Sequence, residues 1–124
     1  MASLSCTVTI LVTIITFTCV AAREFYDSKH DLLDIRNVLE NKEERTDYYN
    51  CFIEAAPCKT DASKFFKEIF PEALTTQCKK CTPKQSEIMR TTIEWYLEHE
   101  PLNWAHLVAK IIENLRKKNT NTNQ

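Results

Sequence analysis

The chain contains no glycine. A Gly-rich phosphate loop, a dinucleotide-binding fingerprint and a Gly-flanked nucleophile elbow are therefore excluded. Each brings backbone against a ligand, or turns sharply, where only a residue without Cβ fits. Two-residue β-hairpins lose their usual turn residue as well. The chain also lacks an excess of charge of either sign, with 16 Lys and Arg against 17 Asp and Glu. Near-neutrality argues against nucleic acid as a partner, because a phosphate backbone is held by surplus Lys and Arg. No Asn-x-Ser/Thr sequon occurs, so glycosylation at Asn is not expected. The C-terminal end is polar rather than apolar, which excludes a lipid-linked anchor there. What remains for 124 residues is one small helical domain.

Charge is missing altogether from residues 1–22, and every Asp, Glu, Lys and Arg lies beyond them. The apolar run Ile10 to Val20, followed by the small residues Ala21 and Ala22, predicts a secretory leader cleaved after Ala22. A membrane anchor fits less well. Thr9, Thr13, Thr16 and Thr18 interrupt the stretch, and no basic stop-transfer cluster follows. The expected product is secreted and extracellular, without stable membrane insertion. Its domain spans 23–116, and 117–124 form a polar tail too poor in apolar groups to order itself.

Beyond the leader the apolar residues recur at helical spacing, and no window reads as a strand. Asp31 is a candidate cap for a helix reaching Glu40, with Leu32, Ile35, Val38 and Leu39 inward. Thr46 or Asp47 starts a second, with Tyr48, Tyr49, Phe52, Ile53 and Ala56 on its face and Pro57 at its end. Asp61 opens a third through Phe65, Phe66, Ile69 and Phe70, and Pro71 suits the first turn of a short fourth. Thr82-Pro83-Lys84-Gln85 is a capping box with Pro at the first helical position. It leads a stripe of Ile88, Met89, Thr92, Ile93, Tyr96 and Leu97. After Pro101 come Trp104, Leu107, Val108, Ile111, Ile112 and Leu115 on one face. The expected fold is an all-α bundle of five or six amphipathic helices.

Removal of the leader takes Cys6 and Cys19 with it and leaves Cys51, Cys58, Cys78 and Cys81. Cys78-x2-Cys81 has the spacing of a zinc half-site, but Cys51-x6-Cys58 does not. With an oxidising destination, two disulfides are the expectation. Spacing leaves three connectivities open.

The array Cys51-x6-Cys58-x19-Cys78-x2-Cys81 resembles that of the insect chemosensory proteins, also called the OS-D-like family. Tyr48-Tyr49-Asn50-Cys51, Phe70-Pro71-Glu72-Ala73-Leu74, Cys78-Lys79-Lys80-Cys81-Thr82 and Pro101-Leu102-x-Trp104 carry the likeness further. Upstream, Tyr26-x-x-Lys29-His30-Asp31 is similar to the family's Tyr-x-x-Lys-Tyr-Asp. The resemblance covers about residues 24–112. It implies six helices around an apolar channel, disulfides between neighbouring cysteines, and binding of small hydrophobic molecules such as fatty-acyl compounds and semiochemicals. Two departures stand out. His30 replaces an aromatic that lies at the family's channel, and Ile111-Ile112-Glu113-Asn114-Leu115 stands where the family has Asp-Pro-x-Gly.

Candidate ligand contacts are Tyr26, His30, Ile35, Tyr48, Tyr49, Phe52, Trp95, Tyr96, Trp104 and Val108. Tyr and Trp offer an apolar ring with a polar tip, which suits an acyl chain carrying an oxygenated head. His30, His99 and His106 have no metal-ligating spacing. No motif assembles nucleophile, base and oxyanion donors, and Glu43, Glu44, Glu98 and Glu100 fall on charged faces. The sequence predicts a monomeric carrier of small hydrophobic ligands with no enzymatic activity, cofactor or metal. A secreted helical factor acting through a receptor surface is the alternative.

Overall fold

Four side-chain oxygens set where helices begin. In the computed structural model, which describes residues 3–11, 14–22 and 24–122 and the side chains of 24–122, five helices follow one another. They are α1 (Ile35–Glu40), α2 (Lys42–Phe52), α3 (Asp61–Thr76), α4 (Pro83–His99) and α5 (Pro101–Thr122). Asp34 accepts from the Asn37 amide, Asn41 from Glu44, Thr60 from Ser63 and Thr82 from Gln85. Each satisfies an amide that the first helical turn leaves without a partner. Thr82 and Gln85 form the capping box that the sequence predicts.

Other boundaries differ from expectation, for physical reasons. Asp34 rather than Asp31 caps α1, and Leu32 is left 96 % exposed. Asn41 caps α2 five residues ahead of Thr46, and the helix closes at Phe52, so Ala56 is exposed. Pro71 lies inside α3 and starts no separate helix. It removes one amide donor, yet the Thr75 hydroxyl bonds the Pro71 carbonyl at 3.0 Å and the helix continues. Leu97 and Ile112 face outward. The tail expected to lack order extends α5 to Thr122. A Lys117–Glu113 ion pair at 2.8 Å and Thr hydroxyls bonding the Arg116 and Lys118 carbonyls support that extension.

Ahead of the helices, β1 (Ser3–Leu11) and β2 (Ile14–Ala22) pair antiparallel, from Ser3 opposite Ala22 to Leu11 opposite Ile14. The expectation of no strand concerns the chain beyond the leader, where the described residues form helices and no strand. Thr7-Val8-Thr9-Ile10 alternates and is rich in β-branched residues, as strands prefer. The hairpin falls wholly within the segment read as a leader.

The disulfides are Cys51–Cys58 and Cys78–Cys81, with Cα atoms 4.8 and 4.9 Å apart. This is the neighbour pairing that the resemblance implies. Without glycine, left-handed backbone falls to Glu54 (φ 64°), Gln77 (φ 55°) and Cys78 (φ 61°). All three lie inside or beside a disulfide ring. The segment before α1 is tied to α4. Asp31 accepts from the Thr82 hydroxyl at 2.8 Å and from the Gln85 amide at 3.0 Å, and that amide also donates to the Asp27 carbonyl at 2.8 Å.

The principal helix contacts run from α1 to α2, α3, α5, α4 and back to α1. That order is a closed ring. Its inner faces supply the core, including Val38, Leu39, Phe66, Phe70, Ile88, Tyr96, Leu107 and Ile111.

A candidate ligand-binding cavity

The ring does not fill its own centre. About 70 Å3 of free space lies inside, bounded by side chains of all five helices. Periodicity puts them there. From α2 come Arg45, Tyr48, Tyr49 and Phe52, and from α3 come Phe66, Ile69, Phe70 and Ala73. Both sets follow the i, i+3, i+4, i+7 spacing of one helix face. Ile35, Val38 and Leu39 of α1 close one side. Gln85, Ile88, Met89, Thr92 and Tyr96 of α4 face them, with Leu107 of α5 and the Cys78–Cys81 bridge completing the wall.

The structure brings together Ile35, Tyr48, Tyr49, Phe52 and Tyr96 from the sequence-predicted contacts, and it leaves the other five off the wall. Tyr26 is held outside, its amide donating to the Lys80 carbonyl at 2.9 Å and its hydroxyl to Glu72 Oε1 at 2.8 Å. Burial, then the bonded carboxylate, pushes that phenol well above its usual range. His30 packs behind the wall against Phe65 and Phe66, at 5.3 and 6.4 Å between ring centres. Its Nε2 is buried with no hydrogen-bond partner among the described residues. Trp95 is layered between the Arg45 guanidinium, 4.6 Å from its ring, and His99, stacked at 4.6 Å. Trp104 props Phe70 and Tyr96 from outside, at 6.2 and 6.3 Å. Val108 is half-buried beside Leu107 and lies off the wall.

Sequence reasoning missed Arg45 and Gln85 as wall residues. Arg45 reads as a solvated charge until it is placed one turn before Tyr48 and Tyr49 on the same stripe. Gln85 reads only as a cap, yet it is 3 % exposed and bonds three groups around it.

The sequence model of the insect pheromone-binding family, A10/OS-D, matches residues 26–119. The chain belongs to this family. Among relatives of this OS-D protein, ejaculatory bulb-specific protein 3 of Drosophila melanogaster is 32 % identical over 91 residues, covering 73 % of this chain and 71 % of that protein. Allergen Tha p 1 of Thaumetopoea pityocampa is 32 % identical over 102 residues, 78 % of this chain and 80 % of that one. A chemosensory protein solved in complex with bromo-dodecanol superposes with a TM-score of 0.66 at 34 % identity, over 75 % of this chain and 94 % of that chain. Both the OS-D family and the all-α fold are therefore fixed. Among the described residues no helix is long and apolar enough to cross a membrane.

Proposed function

We propose that this OS-D protein is a secreted, monomeric, non-enzymatic carrier that holds one small hydrophobic molecule inside its ring of helices. The predominantly apolar cavity at the centre of the ring carries this assignment. Its driving force is transfer of an alkyl chain out of water, about 0.8 kcal/mol per buried methylene. The similarity to a chemosensory protein solved with a twelve-carbon bromo-alcohol supports it. One chain closes the ring alone, so a monomer suffices. Residues 1–22 act as a leader removed after Ala22, and since all five helices begin beyond it, cleavage leaves the ring whole. The exposed Leu97 and Leu102 at the α4–α5 elbow favour a receptor-facing factor instead, but single exposed leucines are ordinary on soluble surfaces.

The test uses protein recovered from the medium of expressing insect cells. N-terminal sequencing should begin at Arg23, and dodecan-1-ol should displace a fluorescent probe, N-phenyl-1-naphthylamine, at one molecule per chain. Protein retained in the cell with residues 1–22 attached would refute secretion. Failure of dodecanol to displace the probe would refute the carrier.

A further inference from the structure

The wall is almost wholly apolar, and at the end beside Tyr49 and Tyr96 sits a charged pair that cancels itself. Arg45 is the one wall residue with a formal charge. Its side chain is 14 % exposed; Nη1 donates to the Leu39 carbonyl at 2.6 Å and Nη2 to Glu100 Oε1 at 3.3 Å. Glu100 is itself held in place, because its Oε2 accepts from Asn103 Nδ2 at 3.0 Å and its carbonyl accepts from the Trp104 amide at 3.1 Å.

Nearly every other polar group on the wall is already engaged. Tyr49 Oη shares a proton with His106 Nδ1 at 3.0 Å, Thr92 bonds the Ile88 carbonyl at 2.7 Å, and Gln85 is saturated. Tyr96 is not engaged in this way. It is 5 % exposed, its ring is stacked on Tyr49 at 6.4 Å, and its hydroxyl has no hydrogen-bond partner among the described residues. A hydroxyl with no partner in the protein is left to bond whatever fills the space beside it.

Resting on the carrier function, we propose that this end of the cavity reads the ligand's head group: the Tyr96 hydroxyl bonds a neutral oxygen, and the Arg45–Glu100 pair, by cancelling its own charge, disfavours carboxylates. The ligand class is then the long-chain alcohols, aldehydes and esters rather than the free acids. A carboxylate would lose its water and meet a guanidinium already neutralised, with Glu100 opposing it at close range. Burial, then Glu100, pushes the Tyr96 phenol up to about 12, which shows the same hostility to a second negative charge and keeps the hydroxyl a donor.

Probe displacement at pH 8, where the acid is ionised, compares dodecan-1-ol with dodecanoate. The wild-type chain should bind the alcohol about tenfold more tightly. Tyr96→Phe should weaken dodecan-1-ol by about fivefold, the worth of one ordinary hydrogen bond, without moving the ratio of the two affinities toward the acid. Glu100→Gln, which frees the Arg45 charge, should shift that ratio toward the acid by about tenfold. Adding Arg45→Gln to Glu100→Gln should abolish the shift. The wild-type comparison and Tyr96→Phe decide the matter even if the Glu100 variant melts. Equal affinity for alcohol and acid in the wild type, or an unchanged alcohol affinity in Tyr96→Phe, overturns the head-group assignment while the carrier stands. Displacement by neither compound overturns both.

Discussion

At the scale of single residues, Tyr96 couples the cavity to pH. A phenol whose folded-state pKa is raised, here from near 10 to about 12, stabilises the fold fully below its unfolded value. That stability is lost as pH rises through the folded value. Urea unfolding at pH 9 and pH 11 should therefore show a shallower alkaline loss for Tyr96→Phe than for the wild-type chain. Trp104 makes a contrasting case. It touches Phe70 and Tyr96 from behind the wall, so Trp104→Ala should lower stability by about 2–3 kcal/mol, somewhat less than a fully buried Trp. Dodecanol affinity should change by less than twofold, measured beside the melting curve. Sequence alone made the aromatic candidates visible but could not sort them, because Tyr96 and Trp104 both sit on apolar stripes. What separates them is helix rotation by a fraction of a turn, which depends on packing partners remote in sequence. Arg45 was hidden for the opposite reason. A charge reads as solvated unless its neighbours at i+3 and i+4 are known to face inward.

At the scale of elements, the missing glycine has a cost that can be located. Gln77 ends α3 in the left-handed conformation, where its amide bonds the Ala73 carbonyl, a position that glycine fills without steric penalty. Gln77→Gly should stabilise the fold by about 1 kcal/mol in urea unfolding, since the side chain is exposed. No change, or a loss, would mean that the Cys78–Cys81 ring already imposes this turn on any residue. Helix number was legible within one, because capping boxes and apolar stripes are local signals. The start of α4 was legible to the residue, from Thr82-Pro83-Lys84-Gln85. The run of α3 through Pro71 was not, because a proline's missing hydrogen bond is tolerable inside a helix whose flanks are packed. Nor was the role of Asp31, whose partners Thr82 and Gln85 lie more than fifty residues away.

At the scale of the whole molecule, closure of the ring and the size of its hollow are in tension. The free space of about 70 Å3 falls short of the roughly 300–1,000 Å3 in which drug-sized ligands are held. A twelve-carbon chain therefore enters only as the helices move apart, and the work of separating them offsets part of the hydrophobic gain. This predicts opposite signs for two measurements on one variant. Ile88 faces the cavity and is 9 % exposed. Ile88→Ala should destabilise the chain by about 2–4 kcal/mol through lost packing. The room it opens is room that the ligand otherwise has to make, so affinity for dodecan-1-ol should rise severalfold. Ile88→Val should move both quantities the same way by smaller amounts, with about 1 kcal/mol lost in stability. Were the cavity already wide enough, the lost methyl groups would be lost ligand contacts, and affinity would fall together with stability.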